Sequence, residues 1–219
     1  DDMLELDAAR AMIRPNTRLM LLTHASNVSG TILPIVAAGA LCRERGIFFA
    51  VDAAQTAGHL PIDMMQSSID ALCVPAHKGL PGPSGIGALL LSKELAKSLD
   101  PLITGGTGSD SHTEIQPVYM PDRFESGTPN LAGIYGLHAA LSELEAEGLS
   151  ARQMRVVALL SRCPPGFAVF PDMPLLRTCG SCRSFVHLLF EASEAVRFIN
   201  RLCRTLSALF ARRCHGRPP

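Results

Sequence analysis

Four short apolar runs, spaced through the first hundred residues, restrict the fold of this chain more than any other feature. They are Arg18-Leu19-Met20-Leu21-Leu22-Thr23, Ile47-Phe48-Phe49-Ala50-Val51, the stretch Ile69 to Val74, and Gly85-Ile86-Gly87-Ala88-Leu89-Leu90-Leu91. Each has the length of a buried strand, and the first three stop at residues able to do chemistry. Between the first two, Pro34 opens a helix to about Arg45, with Gly46 as its stop signal. Strands alternating with amphipathic segments predict βαβ units around a mostly parallel sheet flanked by helices, an α/β fold. Ser92 is placed to cap a short helix after the fourth run. Asn130 to Glu147 has helical spacing and closes at Gly148. Beyond it the pattern weakens: a helix is expected over 151–160, a strand over 185–190, a helix over 193–209, and no element from Arg212 to Pro219.

Composition divides the chain near residue 150. Residues 1–150 carry 17 acids against 9 Lys and Arg, a sum of −8, while 151–219 carry 3 acids against 11 Arg, a sum of +8. All three lysines fall in the first part and five of the seven cysteines in the second. The expected organisation is therefore a large domain over 1–150 and a divergent or incomplete small domain over 151–219. The arginines of the tail are scattered rather than striped and accompany no nucleic-acid motif, so nucleic acid is not expected as a partner. No apolar run approaches the roughly 18 residues of a membrane span, and the acidic start lacks the regions of a signal peptide. A cytoplasmic location is the expectation.

In open α/β sheets ligands gather outside the carboxyl ends of the strands. His24, Asn27, Asp52, Gln55, His77 and Lys78 all fall at three such ends. A lysine after one buried run and an acid after the preceding one suit a single chemistry: Lys78 can form a Schiff base with the aldehyde of pyridoxal 5'-phosphate, and Asp52 can keep its pyridine nitrogen protonated. Taken alone, Lys78 reads as a solvated surface residue, Asp52 with Gln55 as a helix capping box, and Asn27 as a turn residue. None of these readings explains why they sit at neighbouring strand ends. His59, in Gly58-His59-Leu60-Pro61, reads as structural. Gly82 to Gly87 precedes a strand and has neither the dinucleotide nor the phosphate-loop spacing. Cys179-Gly180-Ser181-Cys182 would need two further ligands to hold zinc, and none stands at a standard spacing, so no metal is expected.

The ordered motifs His24 to Gly30, Val51 to Gln55, Gly58 to Asp63, His77-Lys78-Gly79 through Gly82-Pro83-Ser84-Gly85, Gly105 to Ser109 and Arg123 to Asn130 resemble one family. It is the cysteine desulfurase and selenocysteine lyase branch of the class-V aminotransferases, which have the type I fold of pyridoxal-phosphate enzymes. The resemblance, from about Thr17 to Gly148, implies part of a type I large domain followed by the remnant of a small α/β domain. It implies Lys78 as the Schiff-base lysine, Asp52 as the pyridinium partner, and Gln55 and Asn27 around the phenolic oxygen. His77 would serve as a phosphate-side or acid–base histidine, and Thr128 would reach the partner subunit's phosphate in a homodimer. The implied activity removes sulfur from L-cysteine, giving alanine and an enzyme persulfide, with a sulfur-acceptor protein as a further partner. Four family features have no counterpart in residues 1–219: an N-terminal phosphate cup, an aromatic or histidine ring that stacks on the cofactor, a hydroxyl three residues before the lysine (Pro75 stands there), and a late R-x-G-x-H-C-A-P loop with the catalytic cysteine. Two alternatives stay open: a non-catalytic remnant that keeps the fold, and a class-V aminotransferase or lyase acting on another amino acid.

Overall fold

The computed structural model describes residues 4–110 and 112–161. The elements expected over 185–190 and 193–209, and the Cys179–Cys182 pair, lie outside the described residues. Those described fall into two compact units, residues 4–97 with 131–161 and residues 98–130.

The first unit carries the sheet. Its elements in chain order are α1 (Leu6–Met12), β1 (Leu19–Thr23), α2 (Ile35–Arg45), β2 (Phe48–Asp52), β3 (Ala71–Pro75), β4 (Gly87–Leu91), α3 (Lys93–Ser98, which ends at the boundary), α4 (Leu131–Glu147) and α5 (Leu149–Ser161). The strands lie in the order β1-β2-β3-β4. β1, β2 and β3 are parallel, in a register that sets Thr23 beside Asp52 and Asp52 beside Cys73. The βαβ unit read from the sequence is thus present in β1-α2-β2. α2 ends where expected, at Gly46 with φ 62°, the left-handed conformation that glycine adopts without steric cost.

The fourth strand departs from the parallel pattern. β4 runs antiparallel to β3, with Pro75 opposite Gly87. The link over 76–86 contains no helix, and a parallel return needs a crossover of a dozen or more residues, usually helical. α1 is a further departure, since seven residues leave too short a periodic signal to read.

The core forms between the sheet and α2, where Phe49, Val51, Ala53, Ile69 and Leu72 pack with Ile35, Ala38 and Cys42. β2, with neighbours on both sides, buries Phe49 and Val51 completely. Cys42 belongs to this core: its Sγ donates to Met20 Sδ at 3.6 Å, and burial, helped by the Asp70 charge, pushes the thiol up to about 11. A thiol held neutral in this way is a packing residue rather than a nucleophile.

Asp70 ties the far end of the sheet together. Its Oδ2 accepts the Phe49 N–H at 3.0 Å and its Oδ1 accepts the Ser92 hydroxyl at 2.9 Å. Ser92 Oγ in turn accepts the Leu95 N–H at 3.2 Å, the expected cap of α3. Asp70→Ala would leave two half-buried donors unpaired, so a loss of about 1–3 kcal/mol is expected. A urea unfolding midpoint checks this, and an unchanged midpoint would contradict it.

In the second unit Gly127 N–H donates to the Gly105 carbonyl at 3.3 Å, and Gly105 N–H to Gln116 Oε1 at 3.0 Å. Arg123 Nη2 donates to the Leu99 carbonyl at 2.8 Å. The Gly105 to Ser109 and Arg123 to Asn130 motifs, well separated in sequence, are therefore stitched into one loop cluster.

Candidate active site

Parallel pairing brings the carboxyl ends of β1, β2 and β3 side by side, and the six residues expected there from sequence, His24, Asn27, Asp52, Gln55, His77 and Lys78, lie at those ends or on the segments leaving them. Asn27 sits exposed at the tip of a small hairpin that follows β1. That hairpin is closed by Ser26 N–H to the Thr31 carbonyl at 2.9 Å and Gly30 N–H to the Ser26 carbonyl at 3.0 Å. Asp52 ends β2, half-buried, with Oδ1 accepting the Ala54 N–H at 2.8 Å. The capping-box alternative is not what forms: residues 54–59 are turns rather than a helix. Half-buried Gln55 lies on that turn, while exposed His77 and half-buried Lys78 lie on the turn leaving β3. Thr128 is exposed in the loop cluster of the second unit.

The electrostatics of Asp52 and Lys78 are matched. Burial pushes the Asp52 carboxyl up, an effect its Ala54 hydrogen bond and the Lys78 charge partly offset. Burial likewise pulls the Lys78 amine below its ordinary range, against the opposing pull of Asp52. Desolvation thus makes both charged forms costly, and each charge favours the other. A lysine in that state keeps a larger uncharged, nucleophilic fraction at neutral pH. An acid in that state favours a cation or an N–H donor set against it.

Close backbone contact fixes this arrangement. A Cβ on Gly79 would lie 2.0 Å from the Ala57 carbonyl oxygen and 2.6 Å from His59 Cδ2. One on Gly58, where φ is +77°, would lie 2.4 Å from the Gly79 carbonyl oxygen. The Lys78 turn therefore rests directly on the turn that carries Gln55. A single sequence offers no signal for this contact, because it joins two glycines twenty-one positions apart.

His24, between β1 and the Asn27 hairpin, is 5% exposed. Its N–H donates to the Asp52 carbonyl at 2.8 Å and its own carbonyl accepts the Leu33 N–H at 2.8 Å. Its Nδ1 is buried with no hydrogen-bond partner among the described residues, and burial lowers the ring from its ordinary value of 6.5. The neutral imidazole is therefore the folded form. Below pH 6.5 the unfolded chain binds a proton that the folded chain does not, so stability present above that pH falls as the solution is acidified. His24→Gln is expected to flatten this fall, read as urea midpoints between about pH 7.5 and about pH 5.5. Parallel curves for the two proteins would contradict it.

Among the described residues no cluster of three His, Cys, Asp or Glu is placed to hold a metal, and no helix is long and apolar enough to cross a membrane.

Comparisons with known proteins place the fold in a family. A family model described as aminotransferase class-V matches residues 1–198. A probable cysteine desulfurase of Pyrococcus abyssi is 36% identical over 169 residues, 76% of this chain and 42% of that protein. A cysteine desulfurase of Klebsiella pneumoniae is 40% identical over 153 residues, 68% of this chain and 37% of that protein. Among solved structures, the apo cysteine desulfurase of Thermococcus onnurineus superposes with TM-score 0.63 at 33% identity, over 73% of this chain and 41% of that one. SspA in complex with cysteine gives TM-score 0.56 at 30% identity, over 72% of this chain and 42% of that one. The chain spans about two fifths of the length of these relatives. With its mixed α/β sheet and flanking helices of the type I fold of pyridoxal-phosphate enzymes, the chain belongs to the class-V aminotransferase family.

Proposed function

We propose that this chain forms the cofactor-binding part of a pyridoxal-phosphate-dependent cysteine desulfurase. The observation that carries the reading is the half-buried Lys78 and Asp52, mutually stabilised at adjacent strand ends. Relatives named cysteine desulfurase and a neighbour holding cysteine support the substrate. The residues fit pyridoxal phosphate: an amine with a lowered proton affinity for its aldehyde, an acid that favours a pyridinium N–H, and a buried imidazole nitrogen with hydrogen-bonding capacity to spare.

When bound, that group supplies an electron sink for the bonds to the α-carbon of an amino acid. Asp52 would hold the proton on the ring nitrogen, a cation set against an acid whose burial pushes its own proton affinity up. Lys78 would hold the group at Nζ, and its amine would be the base able to move a proton to or from the α-carbon. Gln55 and Asn27 would hold the phenolic oxygen, and His77 would serve the phosphate side or proton transfer. Thr128 reaches the partner subunit's phosphate in a cytoplasmic homodimer, and an acceptor protein takes the sulfur onward. The net reaction is L-cysteine plus a thiol giving alanine plus a persulfide. The C–S bond breaks, an S–S bond forms, and a proton ends on carbon.

Incubating the protein with pyridoxal phosphate, L-cysteine and a thiol is expected to give alanine and persulfide sulfur one for one. Formation of pyruvate or of a keto acid instead would indicate a different class-V reaction. A second reading, the same fold without turnover, is favoured by Pro75, which ends β3 buried with neither hydroxyl nor N–H to offer a phosphate. Cofactor attachment at Lys78 with no alanine would select that reading.

A further inference from the structure

α5 holds the Lys78 turn at long range. Gln153, on its first turns, donates from Nε2 to the His59 carbonyl at 2.6 Å, across 94 positions of sequence. His59 belongs to the turn that leaves β2. Its N–H and that of Leu60 both donate to the Thr56 carbonyl, at 2.9 and 2.8 Å, and fully buried Thr56 donates back to Ala53 at 3.0 Å. Ala53 N–H is in turn bonded to the Cys73 carbonyl of β3 at 3.0 Å. The turn is therefore anchored firmly at its start, and Gln153 anchors its far end.

That far end touches the lysine. The His59 ring lies so close to Gly79 that a Cβ there would meet its Cδ2 at 2.6 Å and its Nε2 at 2.9 Å, and Gly58 meets the Gly79 carbonyl. A movement of the His59 carbonyl is thereby passed to Gly79, the residue after Lys78, through the His59 ring and through the backbone contact of Gly58. The geometry points to Gln153 as a positioning residue for Lys78, acting through His59 and Gly79; this rests on reading Lys78 as the cofactor lysine.

The test compares Gln153→Leu, which keeps bulk and loses the donor, with Gln153→Lys, which restores a donor of similar reach. Amide hydrogen exchange and the rate of covalent attachment of pyridoxal phosphate at fixed pH are measured on the full chain. In Gln153→Leu exchange is expected to rise about five-fold over 57–60 and 76–82, with β1 and β2 unchanged, and attachment to slow by a similar factor, the change one lost hydrogen bond allows. Gln153→Lys is expected to return both towards wild type. Unchanged exchange over 76–82 in the Leu variant, an equal rise in β1 and β2, or no recovery with lysine would each overturn the proposal. If the wild-type protein attaches no pyridoxal phosphate, the cofactor reading fails separately, and the exchange pattern still decides the role of Gln153.

Discussion

Lys78→Ala is expected to lose covalent attachment of pyridoxal phosphate completely, and with it the visible absorbance of the lysine adduct. The fold should survive, because Lys78 is half-buried on a turn and contributes nothing to the core formed by Phe49, Val51, Ile69 and Leu72. Its removal also takes away the charge that partly offsets the burial of Asp52. The Asp52 carboxyl in the variant should therefore ionise less readily than in the wild type, the same direction that desolvation already drives it. Absorbance spectra and circular dichroism of the two proteins, recorded side by side, check both halves. A variant that keeps the visible band would show that Lys78 is not the attachment point.

Gly79→Ala carries the other large effect. The added carbon would sit 2.0 Å from the Ala57 carbonyl oxygen, far inside van der Waals contact, and the obstacle is backbone rather than a side chain that can turn aside. One of the two turns must move, so a loss of about 1–3 kcal/mol is expected, together with a fall of at least about tenfold in cofactor attachment. Gly108→Ala is the control: a Cβ there meets nothing within 4 Å, so its unfolding midpoint should shift by less than about 0.5 kcal/mol. Equal stability of the two variants would mean that the Lys78 turn is not held as described.

Much of this was legible because buried parallel strands appear in sequence as unbroken apolar runs, and the sheet places its functional residues where those runs stop. Asp52 and the His77-Lys78 pair could be put at neighbouring strand ends for that reason alone. The direction of β4 could not, since Gly87 to Leu91 is apolar whichever way it runs. What decides it is the helix-free link over 76–86. The role of His24 was half visible: its place after β1 could be read, but its burial and orphaned Nδ1 arise from packing. The Gly58–Gly79 contact and the Gln153–His59 bond were invisible, because each pairs residues whose local surroundings carry no trace of the other. Gln153 lies on a helix that begins where the hydrophobic pattern had already weakened, and its partner His59 is 94 positions away on a turn.

A competition among three lysines tests most directly whether burial beside Asp52 sets Lys78 apart as the amine that takes a carbonyl cofactor. Lys78, Lys93 and Lys97 are the whole set in this chain, and the latter two are exposed on α3. The protein is incubated with limiting pyridoxal phosphate, the link is fixed by borohydride reduction, and the digested peptides are weighed. The label is expected on Lys78, with Lys93 and Lys97 unmodified until the reagent is in excess. Label spread evenly over the three, or found on Lys93 and Lys97 while Lys78 stays free, would contradict it.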